Sequence, residues 1–126
     1  MEKLFLPYEL ALEIKTLGFD EPCLFDYNRW NTERLNDSYF NYVNYNAGET
    51  MVSAPLFQQV FKWFREKYNL DKVIYPTLGS EGNYYINIFK NYNSDNSLYW
   101  NCSYETLEEA ELECLKKLID IVKNKN

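Results

Sequence analysis

The side chains that could carry out chemistry in this sequence are carboxylates, thiols and tyrosines, because the sequence contains no histidine. Histidine is the commonest general base near neutral pH and a frequent metal ligand. Ser-His-Asp and Cys-His arrangements for nucleophilic catalysis are therefore excluded. Two pairs of adjacent acids remain, Asp20 with Glu21 and Glu108 with Glu109. Such pairs are typical of solvated faces and helix starts, so we predict no catalytic residue and no enzymatic activity.

The cysteines do not have the spacing of a metal site or a redox motif. Cys23, Cys102 and Cys114 are odd in number, and no two of them form a C-x-x-C pair. Without histidine the usual zinc ligand sets cannot be assembled, and no calcium-loop spacing is present. We predict no metal, and free thiols that are buried in a protein of the reducing cytoplasm.

One pair of glycines resembles part of a phosphate-binding loop. Gly79 and Gly82 lie in the segment 78–83, just before a predicted strand. The segment lacks the lysine and the following helix that a phosphate loop requires. We therefore predict a turn at this segment and no cofactor.

Charge and hydropathy limit the classes of partner. Thirteen basic residues stand against nineteen acidic ones, which gives a net charge of −6. Nucleic-acid affinity comes largely from Lys and Arg that neutralise phosphates, so the balance argues against binding of duplex nucleic acid and of anionic membranes. The apolar stretch at the N-terminus is too short for a signal peptide, and no run approaches the roughly 20 apolar residues of a membrane span. We predict a cytoplasmic protein with one domain, residues 1–126.

Three helices are predicted, and their ends carry recognisable signals. The first spans 7–17, with Pro7 in its first turn and Gly18 just after its end. The second spans 54–68, where aromatic residues recur at helical spacing. The third spans 107–122, and Thr106 followed by Glu109 forms a capping box at its start.

Strand-like segments lie between the helices. Alternation and β-branched or aromatic content predict five of them, at 23–27, 39–45, 73–75, 84–89 and 98–104. The last two flank a polar loop at 91–96 and read as a β-hairpin. The predicted fold class is α+β, with three helices packed on a small, mostly antiparallel sheet in the order α–β–β–α–β–β–β–α.

The hairpin offers the clearest functional hint. If Ile86 and Ile88 face the core, and Leu98 and Trp100 face it from the neighbouring strand, the alternate residues face outward. This candidate interaction face comprises Tyr85, Asn87, Phe89, Tyr99 and Asn101. Rigid aromatic side chains are typical of surfaces that recognise other proteins. The chain also has 12 Tyr and 8 Phe residues, so the codon bias of an AT-rich genome is an alternative source of these residues.

Three stretches of the sequence resemble a family of short proteins of uncharacterised activity that recur in Bacteroidetes genomes and their phages. The stretches are Tyr8–Ala11 with Gly18–Cys23, then Ala54–Tyr68, and then Tyr104–Ala110. The resemblance implies a phage or mobile-element setting, where small proteins that modulate host factors are common. It implies no activity and no site residue.

Three functions are compatible with these observations. The favoured hypothesis is a non-enzymatic binding or accessory protein whose partner is another protein. One alternative is an acidic mimic of nucleic acid that inhibits a host protein. The other is a small-ligand-binding or carboxylate-based enzymatic domain. The sequence leaves the oligomeric state open.

Overall fold

The fold comes from a computed structural model that describes most of the chain in two compact units, residues 1–60 and 61–126. The described residues are 4–23, 25–28, 35–36, 44–48, 51–77, 83–91 and 93–124. Each unit is built on its own three-stranded sheet. The prediction of one domain over 1–126 stays a prediction.

The first helix, α1 (Tyr8–Thr16), is one residue shorter at each end than the predicted 7–17. Pro7 is its N-cap residue. At the other end Gly18 has a φ of 97°, and the N–H of Phe19 bonds to the carbonyl of Ile14 at 3.0 Å. This left-handed ending satisfies carbonyls that the last turn would leave unpaired. Ile14 and Phe19 are both buried, so the ending also fixes α1 on the core of its unit.

The sheet of the first unit joins two strands that are close in sequence to a third that is distant. Its order is β2–β1–β3, all antiparallel, with β1 at Asp26–Asn28, β2 at Leu35–Asn36 and β3 at Met51–Ser53. A short 3-10 helix, Tyr45–Ala47, precedes β3. Its Asn46 donates to the carbonyl of Phe19 at 2.9 Å and accepts from the N–H of Ser53 at 2.8 Å. One amide side chain therefore ties α1's end to β3.

The second helix, α2 (Phe57–Tyr68), begins three residues later than the predicted Ala54. The carbonyl of Pro55 accepts from the N–H of Leu6 at 3.0 Å, and Leu56 forms an antiparallel bridge with Phe5. Residues 54–56 are therefore held against the N-terminal segment, which overrides the helix-favouring proline. The predicted end of the helix at Tyr68 is confirmed.

The second unit contains a meander of neighbouring strands and the last helix. Its sheet has the order β4–β5–β6, all antiparallel. The strands span Leu70–Pro76, Tyr84–Lys90 and Asn93–Tyr104, and α3 spans Leu107–Lys123. The hydroxyl of Thr106 accepts from the N–H of Glu109 at 3.1 Å, so the predicted cap of α3 is confirmed. The core of α3 includes Cys114, Leu115 and Leu118.

The predicted α+β class, the three helices and the order of elements are confirmed, with two differences. A further short strand, β3, precedes α2, and the strands form two sheets instead of one. The strand predicted at 39–45 lies mostly outside the described residues, and its last residue, Tyr45, begins the 3-10 helix. The turn predicted at 78–83 lies outside them except for Asn83. Strand β6 begins at Asn93, so the hairpin loop is shorter than the predicted 91–96.

Candidate functional site

The register of the β5–β6 hairpin decides which side chains share a face. Ile86 pairs with Asn101, Ile88 with Tyr99, and Asn87 with Trp100. Residues directly opposite each other on neighbouring strands point to the same side of a sheet. Ile86 and Ile88 are fully buried, so Tyr99 and Asn101 lie on their side and Trp100 lies on the other.

Helix α3 packs on the side that carries the isoleucines. The ammonium of its Lys117 lies 5.0 Å from the ring centroid of Tyr99, a distance typical of a cation–π contact. The hydroxyls of Tyr99 and Tyr104 are 3.0 Å apart, and the Asn101 amide donates to that of Tyr99 at 3.0 Å. These polar groups bond to one another, which lets the inner side accept Tyr and Asn.

The predicted interaction face is therefore divided. Tyr85 and Asn87 lie on the outer side of the sheet, Tyr99 and Asn101 lie on the side of α3, and Phe89 is buried. The inward placement of Leu98 and Trp100 was wrong, because both are exposed. Hydropathy predicts that Leu98 and Trp100 are buried. The pairing register places Tyr99 and Asn101 on the inner side instead, and the hydrogen bond between these two side chains stabilises that placement.

A row of three rings crosses the outer side of the sheet, one ring from each strand, with the two outer rings exposed and the middle one half-buried. The rings are Tyr75 of β4, Tyr85 of β5 and Trp100 of β6, and we call them the aromatic row. The centroids of Tyr75 and Tyr85 are 4.5 Å apart, and those of Tyr85 and Trp100 are 5.4 Å apart in an edge-to-face arrangement. These distances fit favourable aromatic pairs, so each ring holds the next in place.

Aliphatic side chains extend the aromatic row into a larger apolar surface. Trp100 is 57% exposed and Tyr75 45%, while Leu98 is 47% and Val73 38% exposed. We call these four residues together with Tyr85 the outer patch. Single exposed apolar residues are ordinary, but a group of them on one sheet face is a candidate interaction surface.

The outer patch also encloses a neutral polar group, because Asn87 lies between Val73 and Trp100 in the pairing register. Beside Trp100, the hydroxyl of Ser97 donates to the amide oxygen of Asn87 at 2.6 Å. Desolvation, and then the neighbouring Tyr85, raise the pKa of Tyr75 above its ordinary value of 10.0, and a phenol is neutral at physiological pH even at that ordinary value. The patch therefore presents apolar area and neutral hydrogen-bonding groups.

The buried thiols are poor nucleophiles. Burial raises the pKa of Cys23 to about 12, and the Ser53 and Gln59 side chains offset only part of this effect. Burial also raises the pKa of Cys114 to about 12, although the nearby Lys72 opposes it. Because the thiolate is the reactive species, both thiols are inert near neutral pH. All three cysteines are free, and Cys102 is half-buried.

The Tyr104 hydroxyl on the side of α3 does not provide a base either. Burial raises the pKa of Tyr104, and the neighbouring Tyr99, Glu113 and Cys114 raise it further. A phenol that stays protonated can donate a hydrogen bond but cannot abstract a proton. Within the described residues, no three Cys, Asp or Glu side chains converge as metal ligands. No helix in the described part of the chain has the length and apolar content to cross a membrane.

Comparison with known proteins finds no family model, no curated protein and no solved structure that matches this chain. The outer patch therefore rests on geometry alone. Sequence reasoning missed four of its five members, Val73, Tyr75, Leu98 and Trp100, although a signal for Trp100 was available. If the residues on either side of the predicted loop at 91–96 are paired in turn, Ile88 pairs with Tyr99. This is the observed register. It places Trp100 on the outer side of the sheet.

Proposed function

We propose that this protein is a non-enzymatic binding protein that holds another protein against its outer patch. The observation that carries the proposal is the exposed Trp100, supported by Tyr85 at 5.4 Å and flanked by Leu98. Interface hot spots are enriched in Trp and Tyr that are held rigid before the partner arrives. The family resemblance suggests a host protein as the partner, in a phage or mobile-element setting.

The chemistry of the outer patch favours a protein over a nucleic acid. Bases can stack on exposed aromatic rings, but proteins that bind single strands add a cationic groove for the backbone. The outer patch contributes no cation, and the chain carries a net charge of −6. A neutral, largely apolar protein surface contacts the patch without the electrostatic repulsion that an acidic chain exerts on phosphates.

Affinity purification from the native host, with mass spectrometry of what co-elutes, tests the proposal. The wild-type chain is compared with Trp100→Ala and Leu98→Ala. If Trp100 is a hot spot, its loss weakens capture by about 2 kcal/mol or more, roughly thirty-fold in Kd. The matched control is Leu12→Ala, because Leu12 on α1 is 40% exposed and lies outside the patch.

The comparison has a clear negative result. If Trp100→Ala and Leu98→Ala retain every partner that the wild type captures, the outer patch is not the binding site. If Leu12→Ala loses the same partners, the binding surface lies elsewhere. Thermal unfolding of each variant shows that the fold is intact before capture is compared.

A further inference from the structure

We propose that the partner binds as an extended segment that adds as a fourth, antiparallel strand to the outer edge of β6, with Lys or Arg at its N-terminal end. This inference rests on the proposed function and specifies the chemistry of the partner. It combines three features of the second unit: the edge of β6, the outer patch, and the acids that follow β6.

The two edges of the sheet differ in their charges and prolines, although the pairing of β6 with β5 is interrupted by register shifts. Among the described strands, β4 and β6 are the edges of the order β4–β5–β6. Edge strands that avoid pairing carry charges or proline, and β4 has Asp71, Lys72 and Pro76. In contrast, the segment 96–104 of β6 has no charged residue, no proline and no glycine. Such a segment is a template for another strand.

A strand added to β6 extends the outer patch. Alternate side chains of an added strand lie on each side of the sheet. Those on the outer side lie next to Leu98 and Trp100, because directly opposite residues share a face. The outer side of the sheet, with its aromatic row, then continues from three strands to four. Backbone hydrogen bonds supply affinity, and the outer patch selects apolar side chains at every second position.

Three acids follow the end of β6 and set the polarity of the partner. Glu105, Glu108 and Glu109 are all exposed, and none forms an ion pair among the described residues. In an antiparallel arrangement the N-terminal end of the added segment lies at the C-terminal end of β6. Basic residues at that end therefore meet these carboxylates.

Charge argues against a second copy of the chain as the occupant. Two copies pair two chains that each carry a net charge of −6. In an antiparallel β6–β6 pair, the acids of one copy meet the other copy at Asn93, where the neighbouring strand contributes one lysine, Lys90. A basic segment of another protein neutralises these carboxylates more fully than the single Lys90 of a second copy does.

Selection of a random dodecapeptide library on the immobilised full-length chain tests the inference. We expect the enriched peptides to alternate apolar and polar residues and to carry Lys or Arg near their N-termini. The affinities of synthetic copies are then measured by fluorescence anisotropy. Peptides with helical apolar spacing, peptides with the basic residues at the other end, or a lack of enrichment would each overturn the proposal.

A substitution at Ser103 tests strand pairing at the edge of β6 and leaves the residues of the outer patch unchanged. The N–H of Ser103 donates to the Asn101 side chain at 3.1 Å, so proline at this position removes no bond to β5. Ser103→Pro blocks the approach of a strand and weakens peptide binding roughly ten-fold, whereas Ser103→Ala, the matched control, binds as the wild type does. Wild-type affinity in a folded Ser103→Pro variant would contradict strand addition.

The acids provide a second test that does not depend on proline. The double variant Glu105→Gln with Glu108→Gln weakens binding of the enriched peptides about five-fold at low salt, and the difference disappears at high salt. Asp20→Asn with Asp120→Asn removes the same charge from exposed positions elsewhere and serves as the control. Equal losses in the two double variants would overturn the role of the acids.

The outcomes distinguish this inference from the proposed function. If capture from the host depends on Trp100 but the peptide results fail, the outer patch binds a folded surface and only strand addition is wrong. If the wild type elutes as a dimer that Ser103→Pro dissociates, the occupant is a second copy and the inference is wrong. If the peptide results fail and Trp100→Ala leaves capture from the host unchanged, both proposals fail.

Discussion

Raising the pH should destabilise this protein through two thiols, one in each compact unit. Cys23 and Cys114 are buried, and burial raises the pKa of each to about 12 from the ordinary 9.0. In the unfolded chain the same thiols ionise near pH 9. Above that pH the unfolded state binds fewer protons than the folded state, so stability falls as pH rises. The contribution is fully present below pH 9 and is lost progressively towards pH 12.

The size of the effect follows from proton linkage. Each thiol that is ionised only in the unfolded state costs about 1.4 kcal/mol for every pH unit. Because the unfolded thiols are only half ionised at pH 9, the loss between pH 9 and pH 10.5 is roughly 1.5–2 kcal/mol per thiol, and the two losses add if both units unfold together. Domains are stable by only about 5–15 kcal/mol in total. The pKa of the Tyr104 phenol is also raised above its ordinary value of 10.0. This phenol therefore adds to the loss of stability as the pH rises past about 10.

Urea unfolding followed by circular dichroism, with reductant present, measures the effect at steps from pH 8 to pH 10.5. Wild type is compared with Cys23→Ala and Cys114→Ala, each of which removes one titrating thiol. Each variant starts less stable at pH 8 because a buried sulfur is lost, but its stability falls about half as steeply with pH. Cys102→Ala is the control, because this side chain is half-buried and the variant keeps both buried thiols.

Two results would refute this reasoning. A free energy of unfolding that stays level from pH 8.5 to pH 10.5 would mean that the buried thiols ionise as easily in the folded chain as in the unfolded one. Equal slopes for wild type and both alanine variants would assign the alkaline loss to other groups.

Three further substitutions test the local structure by urea unfolding. Thr106→Ala removes the cap on the Glu109 N–H and should cost about 1 kcal/mol. Ile88→Ala, at a fully buried position, should cost about 2–5 kcal/mol, whereas the exposed Trp100→Ala should cost clearly less. Gly18→Ala places a side chain at a φ of 97° and should cost about 1–2 kcal/mol.

Each of these predictions has an internal check. Thr106→Ser keeps an accepting hydroxyl and should retain most of the stability that Thr106→Ala loses. If Trp100→Ala proved as costly as Ile88→Ala, the observed faces of the hairpin would be wrong. Gly18→Asn should be milder than Gly18→Ala, because Asn tolerates left-handed backbone better, and equal losses would argue against strain as the cause.

Local signals were sufficient where a helix boundary depends on its nearest neighbours. Gly18 ends α1, and Thr106 caps α3, as their sequence patterns predict. These interactions join residues that are at most a few positions apart, so the sequence contains everything that determines them. The start of α2 depends instead on contacts of Pro55 and Leu56 with the distant N-terminal segment, which no local pattern encodes.

The candidate site shows the same limit at the level of a single strand. Hydropathy placed Leu98 and Trp100 in the core, and the structure exposes both. The inner positions are taken by Tyr99 and Asn101, which become acceptable only because Tyr99 bonds to Asn101 and to Tyr104. That network depends on the register between strands. A period-two pattern gives two equivalent choices of face, and only the register selects between them.

The meander of the second unit has a consequence for the order of folding. The second unit packs elements that are consecutive in sequence, in the order β4, β5, β6 and α3. Contacts between consecutive elements require the closure of only short loops. In the first unit Tyr27 must find Val52 across a long intervening segment. Folding rates fall as contacts become less local. We therefore expect the C-terminal half to acquire its native sheet sooner than the N-terminal half, although the ribosome synthesises it after the N-terminal half.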